Sequence, residues 1–264
     1  MPGRIITITS GKGGVGKTTA TANIGVALAR RGQRVACVDA DIGLRNLDVV
    51  MGLENRIVYD LVDVVEERAR LRQALIKDKR LPELQLLPAA QTREKSAVNE
   101  KQMIKLCNDL KKEFDFVLID SPAGIELGFK NSIAPADQVV IVVTPEVSAV
   151  RDADRVIGLV EASDKPAPKL IINRLRPAMV RRGEMMDTAD VLEVLAIELL
   201  GIVPEDETII TSTNKGQPVA LEDRTAAGAA FTRIARRLLG EDVPFPILGD
   251  SPGLLDRFAN LFRR

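Results

Sequence analysis

RIITITSGKGGVGKTT, residues 4–19, decides how the rest of the chain is read. From Arg4 to Ser10, apolar β-branched residues alternate with Thr, which predicts a strand entering a sheet interior. Gly11, Gly16, Lys17 and Thr18 then complete the spacing G-x-x-x-x-G-K-[ST]. Glycines in such a loop let successive backbone N–H groups curl around phosphate oxygens with no Cβ in the way. The prediction is a phosphate cradle made by Gly11, Lys12, Gly13, Gly14, Val15, Gly16, Lys17, Thr18 and Thr19. Lys17 reaches the terminal phosphates and Thr18 offers its hydroxyl to Mg2+, while the helix that starts here turns its positive end to the same anion. A plain glycine-rich turn is the competing reading. The strand before the loop and the apolar-periodic helix after it favour the cradle. Lys12, at the second loop position, is a further lysine beyond the motif.

Composition narrows what surrounds this loop. The 264 residues are 45% apolar and 28% charged, within the range of one or two globular domains, and no apolar run approaches the ~18 residues a membrane span needs. Strand and chain begin nearly together, which leaves no room for a signal peptide. With two isolated cysteines, Cys37 and Cys107, this sets the expectation of a cytoplasmic, reducing location. There is no histidine, so imidazole bases and His-bound zinc are excluded. Lys plus Arg equals Asp plus Glu, 37 each, and Trp is absent, which argues against a nucleic-acid partner.

Downstream, Ala20, Ile24, Ala27 and Leu28 share one helix face, with Gly32 as a stop. A buried-type strand, Arg34 to Val38, leads into VDADIGLRNLD, which sets Asp39 and Asp41 where α/β sheets place their ligands. An acidic turn is the competing reading of that pair. Residues 57–80 read as a charged, solvated helix, and 84–88 as a short strand. Asn99 and Gln102 are spaced as a capping pair ahead of Met103, Leu106, Cys107 and Leu110. FDFVLIDSPAG, residues 114–124, is an apolar strand ending in Asp120, as a Walker B element does when it presents a carboxylate to the Mg2+ shell. Gly124 follows at a spacing that lets a loop amide meet a γ-phosphate. Further strands are predicted at 138–143, 169–173 and 199–203, with a helix between them capped by Ser148 and facing inward at Val150, Ala153, Ile157 and Val160.

The alternation of seven strands with helices predicts a single-domain α/β fold of three layers, a mainly parallel sheet covered on both faces. Guanine is usually read by an N/T-K-x-D segment. Asn214-Lys215-Gly216-Gln217 lacks its carboxylate, so ATP is favoured, with Asn173 and the backbone near Pro204 at strand ends for adenine.

Residues 1–239 form the predicted ATPase domain, 240–253 a linker and 254–264 a terminal amphipathic helix. Leu254, Leu255, Phe258, Leu261 and Phe262 make one apolar stripe. A helix docked on the core is the competing reading; the preceding linker and the large exposed side chains favour a membrane surface. Burying five such residues yields ~7 to 15 kcal/mol. Ordering the segment costs ~11 to 22 kcal/mol. One copy is therefore marginal, and two copies on a dimer hold through effective concentration.

Lysine at the second loop position of KGGVGKTT is the mark of the deviant Walker A ATPases. With DADIGLRNLD, FDFVLIDSPAGIE, TPEVSAVRDADR, GIVPED and the terminal stripe, the whole chain resembles the ParA/MinD family of P-loop ATPases, and among them those that place the division septum. The resemblance implies an ATP- and Mg2+-dependent hydrolase whose two subunits sandwich two nucleotides. It implies a homodimer on anionic lipids of the inner membrane's cytoplasmic face that recruits the septum inhibitor MinC, with a topological regulator such as MinE triggering hydrolysis. It assigns Lys12 to the partner subunit's phosphates, Lys17 to its own, and Thr18 to Mg2+ with Asp39 and Asp120 in the outer shell. Asp41 positions the attacking water, and Arg151, Asp152 and Asp154 lie in the partner-binding surface. Two alternatives share the loop: a flagellar-placement relative, and a DNA-segregation ATPase using the basic run Arg174, Arg176, Arg181 and Arg182.

Overall fold

The continuous apolar runs become the interior of one eight-stranded sheet. In the computed structural model, which describes residues 3–246, the strands are β1 (Arg4–Thr9), β2 (Val35–Asp39), β3 (Ile76–Lys77), β4 (Leu84–Leu87), β5 (Phe116–Asp120), β6 (Gln138–Val143), β7 (Lys169–Leu175) and β8 (Glu198–Pro204). Their order is β3-β4-β2-β5-β1-β6-β7-β8. All neighbouring pairs run parallel except β3 with β4. Strands such as VACVD and FVLID are buried along their whole length because helices cover both faces.

The helices are α1 (Lys17–Ala29), α2 (Leu47–Met51), α3 (Leu61–Val65), α4 (Leu71–Ala74), α5 (Glu100–Glu113), α6 (Leu127–Ile133), α7 (Val147–Glu161), α8 (Pro177–Arg181), α9 (Thr188–Leu195), α10 (Thr208–Asn214) and α11 (Ala226–Leu238). On one face α1 and α11 pack Ile24, Leu28, Phe231 and Ile234 against Ile6, Leu118 and Val140. The other face holds two clusters. One joins α6, α7 and α9 to β6, β7 and β8; the other joins α3 and α5 to β2 and β5. The Asn99 and Gln102 capping box forms as predicted, with Gln102 N donating to Asn99 Oδ1 over 3.0 Å and Asn99 N to Gln102 Oε1 over 2.9 Å. Both cysteines are buried in the core, and burial pushes the Cys107 thiol up to about 12.

Two expectations change. The helix expected over 57–80 breaks up: Asp60 caps α3, Glu67 then takes a left-handed φ of 60°, and α4 ends into β3, an eighth strand that pairs antiparallel at the sheet edge. Arg68 folds back onto Asp63 and Glu66 at this break, so charges read as a solvated helical face instead stitch a turn. Ser148 does not cap α7; Glu146 occupies that position and Ser148 lies in the first turn. Within the stretch read as a linker, Arg237 donates to the carbonyls of Val243 and Pro244 and stacks 3.9 Å from the Phe245 ring centroid. The terminal helix with Leu254, Leu255, Phe258, Leu261 and Phe262 lies outside the described residues.

Candidate functional site

The loop after β1 sits between the carboxyl ends of β5 and β6 and is wedged onto α7. A Cβ on Gly11 would come within 2.3 Å of the Asp152 carbonyl oxygen, so only glycine lets the loop lie this close to the helix. Gly16 has a φ of 99°, and a Cβ there would meet Asn173 Nδ2 at 2.3 Å. That amide, 4% exposed near the end of β7, donates to the Val15 carbonyl over 2.7 Å. Ser10 Oγ donates to the Lys12 carbonyl over 2.7 Å from the other side. The loop is therefore shaped from below by two side chains as well as by its glycines.

Lys17 opens α1 and is 7% exposed; burial lowers its pKa, while Asp120 and Asp41 pull it back up. Asp39 and Asp120 end adjacent strands in register. Asp39 accepts from the backbone N–H groups of Asp41 (3.0 Å), Asn46 (3.2 Å) and Leu47 (3.1 Å), so it builds the loop that carries Asp41 and seats the start of α2. Burial raises its pKa to about 6, against those hydrogen bonds. Asp120 is raised to about 8, by burial first and by Asp39 second; Thr18, Lys17 and Thr21 oppose the shift. Thr21 Oγ1 shares its hydrogen between the Lys17 carbonyl (3.0 Å) and Asp120 Oδ1 (3.2 Å).

Two buried carboxylates side by side, faced by one lysine and the Thr18 hydroxyl, make an oxygen-rich pocket short of positive charge. That donor set fits Mg2+, a hard cation that keeps waters and takes few protein ligands. Lys17, Thr18, Asp39 and Asp120 are thus brought together, and Thr19 follows in the first turn of α1.

The remaining residues form a rim. Lys12 Nζ donates to Ser148 Oγ over 3.1 Å and lies 3.8 Å from Glu146 Oε2, with 44% of its side chain exposed. Asp41 is half-buried above Asp39. Gly13 faces the loop after β5, where a Cβ would sit 3.9 Å from that of Ala123, and Gly14 takes a φ of 77°. Gly124 takes a φ of 90°, and a Cβ there would meet nothing within 4 Å. Asn173 lies two residues before the end of β7, whose last residue, Leu175, is in register with Pro204 at the end of β8. Arg151 and Asp154 point outward from α7 and Asp152 is half-buried. Glu146 and Thr21 were not singled out from the sequence. Thr21 carries a signal, one helical turn past Lys17; Glu146 carries none until α7 is known to lie on the loop.

A profile of the CobQ/CobB/MinD/ParA nucleotide binding domain matches residues 6–219. The chain is 58% identical over 243 residues to the septum site-determining protein MinD of Synechocystis, covering 92% of this chain and 91% of that protein. Among solved structures it is similar to the MinC:MinD cell division protein complex of Aquifex aeolicus, at a TM-score of 0.87 and 49% identity over 92% of this chain and 98% of that one. It is also similar to MinD of Pyrococcus horikoshii complexed with Mg-ADP, at a TM-score of 0.81 and 31% identity over 89% and 95% of the two chains. With a lysine-bearing phosphate loop, paired strand-end aspartates and these likenesses along nearly all its length, the chain belongs to the MinD family of septum site-determining ATPases.

Proposed function

We propose that this division-site ATPase works as a switch in which ATP binding builds a homodimer, the dimer holds anionic membrane, and hydrolysis releases it. The observation that carries this is the division of labour between two lysines of one loop. Lys17 is buried beside the Asp120 carboxylate and serves its own nucleotide. Lys12 is exposed at the rim on Glu146 and Ser148, where it is free to turn to a second subunit's phosphates.

In this reading the cradle amides and Lys17 bind the phosphates, and Asp41 orients the attacking water. Lys12 from the other subunit answers the charge that develops on the transferred group, the part an arginine finger plays elsewhere. Mg2+ held by Thr18, with Asp39 and Asp120 behind it, would supply further charge neutralisation. No strong base is required, which suits a chain without histidine. Asn173 supports the reading of adenine as the base. Its Nδ2 is committed to Val15, and its buried Oδ1 has no hydrogen-bond partner among the described residues. That open acceptor suits the amino group of adenine.

The exposed face of α7 is the proposed seat of the septum inhibitor MinC and of a regulator such as MinE, next to the Lys12 contact. A DNA-segregation role is disfavoured, since Arg182 pairs with Glu184 and Arg176 with Glu205, leaving no continuous basic strip. Co-sedimentation with phosphatidylglycerol liposomes tests the whole scheme. The intact protein should pellet with ATP and stay in solution with ADP, and truncation after Gly253 should abolish pelleting. Equal pelleting with both nucleotides would overturn it.

A further inference from the structure

Away from the nucleotide site, α2 ends against the loop that follows α10. Gly52 and Gly216 touch backbone to backbone: a Cβ on Gly52 would lie 2.6 Å from the Gly216 carbonyl oxygen. Arg80 clamps the contact. It donates to the carbonyls of Met51 (2.7 Å) and Gly216 (2.8 Å) and to Asp78 Oδ2 (2.7 Å), so its charge and that of Asp78 are mutually satisfied. Above this floor is a hollow of about 360 Å3 lined also by Arg56, Lys79 and Lys215. Arg56 donates only to a backbone carbonyl, that of Lys77. Lys79 and Lys215 have no side-chain partner among the described residues. Asp78, the carboxylate lining the hollow, is engaged by Arg80, and Glu54 accepts from Asn55.

Several basic side chains elsewhere face a carboxylate, as Arg34 does Asp115, Lys111 does Asp137 and Lys169 does Glu198. Here three cations without a carboxylate partner among the described residues converge on one preformed hollow.

We infer that the hollow framed by Gly52, Arg56, Lys79, Arg80, Lys215 and Gly216 is a second anion site, which takes a phosphate-bearing group and in the cell takes the headgroup of an anionic phospholipid. Ammonium and guanidinium groups around a rigid floor match phosphate oxygens. The lipid source rests on the membrane reading above. The tail supplies three arginines against Asp256, a modest charge for an anionic surface. Near the end of α11, Arg237 donates to the Leu200 carbonyl of β8, whereas Lys79 of the hollow follows β3 at the opposite edge of the sheet. A headgroup held there ties the far edge of the body to the same surface. It also braces α2, whose other end is seated by Asp39.

The test uses the full chain with Mg2+ and ADP saturating, so that the phosphate loop is filled, and the double variant Lys79→Glu with Lys215→Glu. Inorganic phosphate should move the Gly52 and Gly216 amide resonances saturably in the unaltered protein and not in the variant. With ATP, the variant should bind phosphatidylglycerol vesicles about tenfold more weakly while retaining its ATP affinity. Saturable phosphate shifts with equal vesicle binding would keep the anion site and assign it to a soluble phosphate. Absence of saturable shifts at both glycines would overturn the site. Truncation after Gly253 tests the tail separately, because it removes vesicle binding without touching the phosphate shifts.

Discussion

The floor and the rim of the phosphate site are built on opposite terms. On the floor, Lys17, Asp39, Asp120 and Asn173 are each at most 7% exposed; Asp39 and Asn173 are bonded to loop backbone and Asp120 to Thr21 of α1, with the Lys17 charge facing Asp120. On the rim, Lys12 and Glu146 are 44% and 59% exposed, and their 3.8 Å contact is of the kind that water readily exchanges. Buried, hydrogen-bonded groups cannot be rearranged without leaving charges unpaired, whereas exposed ones change partners at little cost. The floor is therefore suited to bind and the rim to switch. The contrast teaches that two lysines five positions apart in one loop have opposite surroundings, one buried beside Asp120 and the other exposed on α7, and the proposed division of duties rests on that difference.

Substitutions should sort along the same line. The largest effects are expected at the rim, first at Lys12 and then at Asp41. Asp41→Asn should lower ATP turnover by about 100-fold, the scale of a lost water-orienting group, while ADP affinity and thermal stability stay as they were. Steady-state phosphate release against calorimetric binding separates the two, and a loss of binding in step with turnover would move Asp41 to the floor.

Asn173→Ala comes next. It removes the strut under Val15 and should cost about 1 to 3 kcal/mol of stability by chemical denaturation. Discrimination against GTP should weaken with it. A variant of unchanged stability would mean that the loop holds its shape without the amide.

The smallest effect is a pH dependence. Asp39 and Asp120 are raised to about 6 and about 8 in the folded protein, so the folded state binds more protons than the unfolded chain across that window. Their contribution is complete below the ordinary carboxylate range and is lost as pH rises through about 6 to 8. The lowered carboxylates Asp78, Asp115, Asp206 and Asp223 act with the opposite sign, losing their contribution at acid pH. The Tm of nucleotide-free protein should accordingly fall by roughly 3 to 8 °C between pH 5.5 and 8.5. Asp120→Asn should flatten the slope, which differential scanning calorimetry can read.

The floor was legible in the sequence. Apolar runs ending in Asp39 and Asp120, and a glycine loop ending in Lys17 and Thr18, each carry their geometry in local spacing. Helix covering of both sheet faces followed from the same runs. Elements whose conformation depends on a distant neighbour were harder to read. The edge strand Ile76–Lys77 is two residues long and exists only because β4 pairs with it. The span 57–80 has the charge density of a helix, but Asp60, Asp63 and Arg68 spend theirs on a turn. Ser148 has the chemistry of a cap and is used instead as an acceptor for Lys12. Asn173 was assigned from its strand-end position to the base, and its hold on Val15 appears only when β7 and the loop are seen together.

The central claim is that the rim makes hydrolysis depend on a second subunit. Its most direct test is specific ATPase activity as a function of protein concentration, for the unaltered chain and for Lys12→Ala. The unaltered chain should gain specific activity with concentration, and Lys12→Ala should stay flat at about 1,000-fold lower turnover with ADP affinity unchanged. Concentration-independent activity, or normal turnover in Lys12→Ala, would contradict the account.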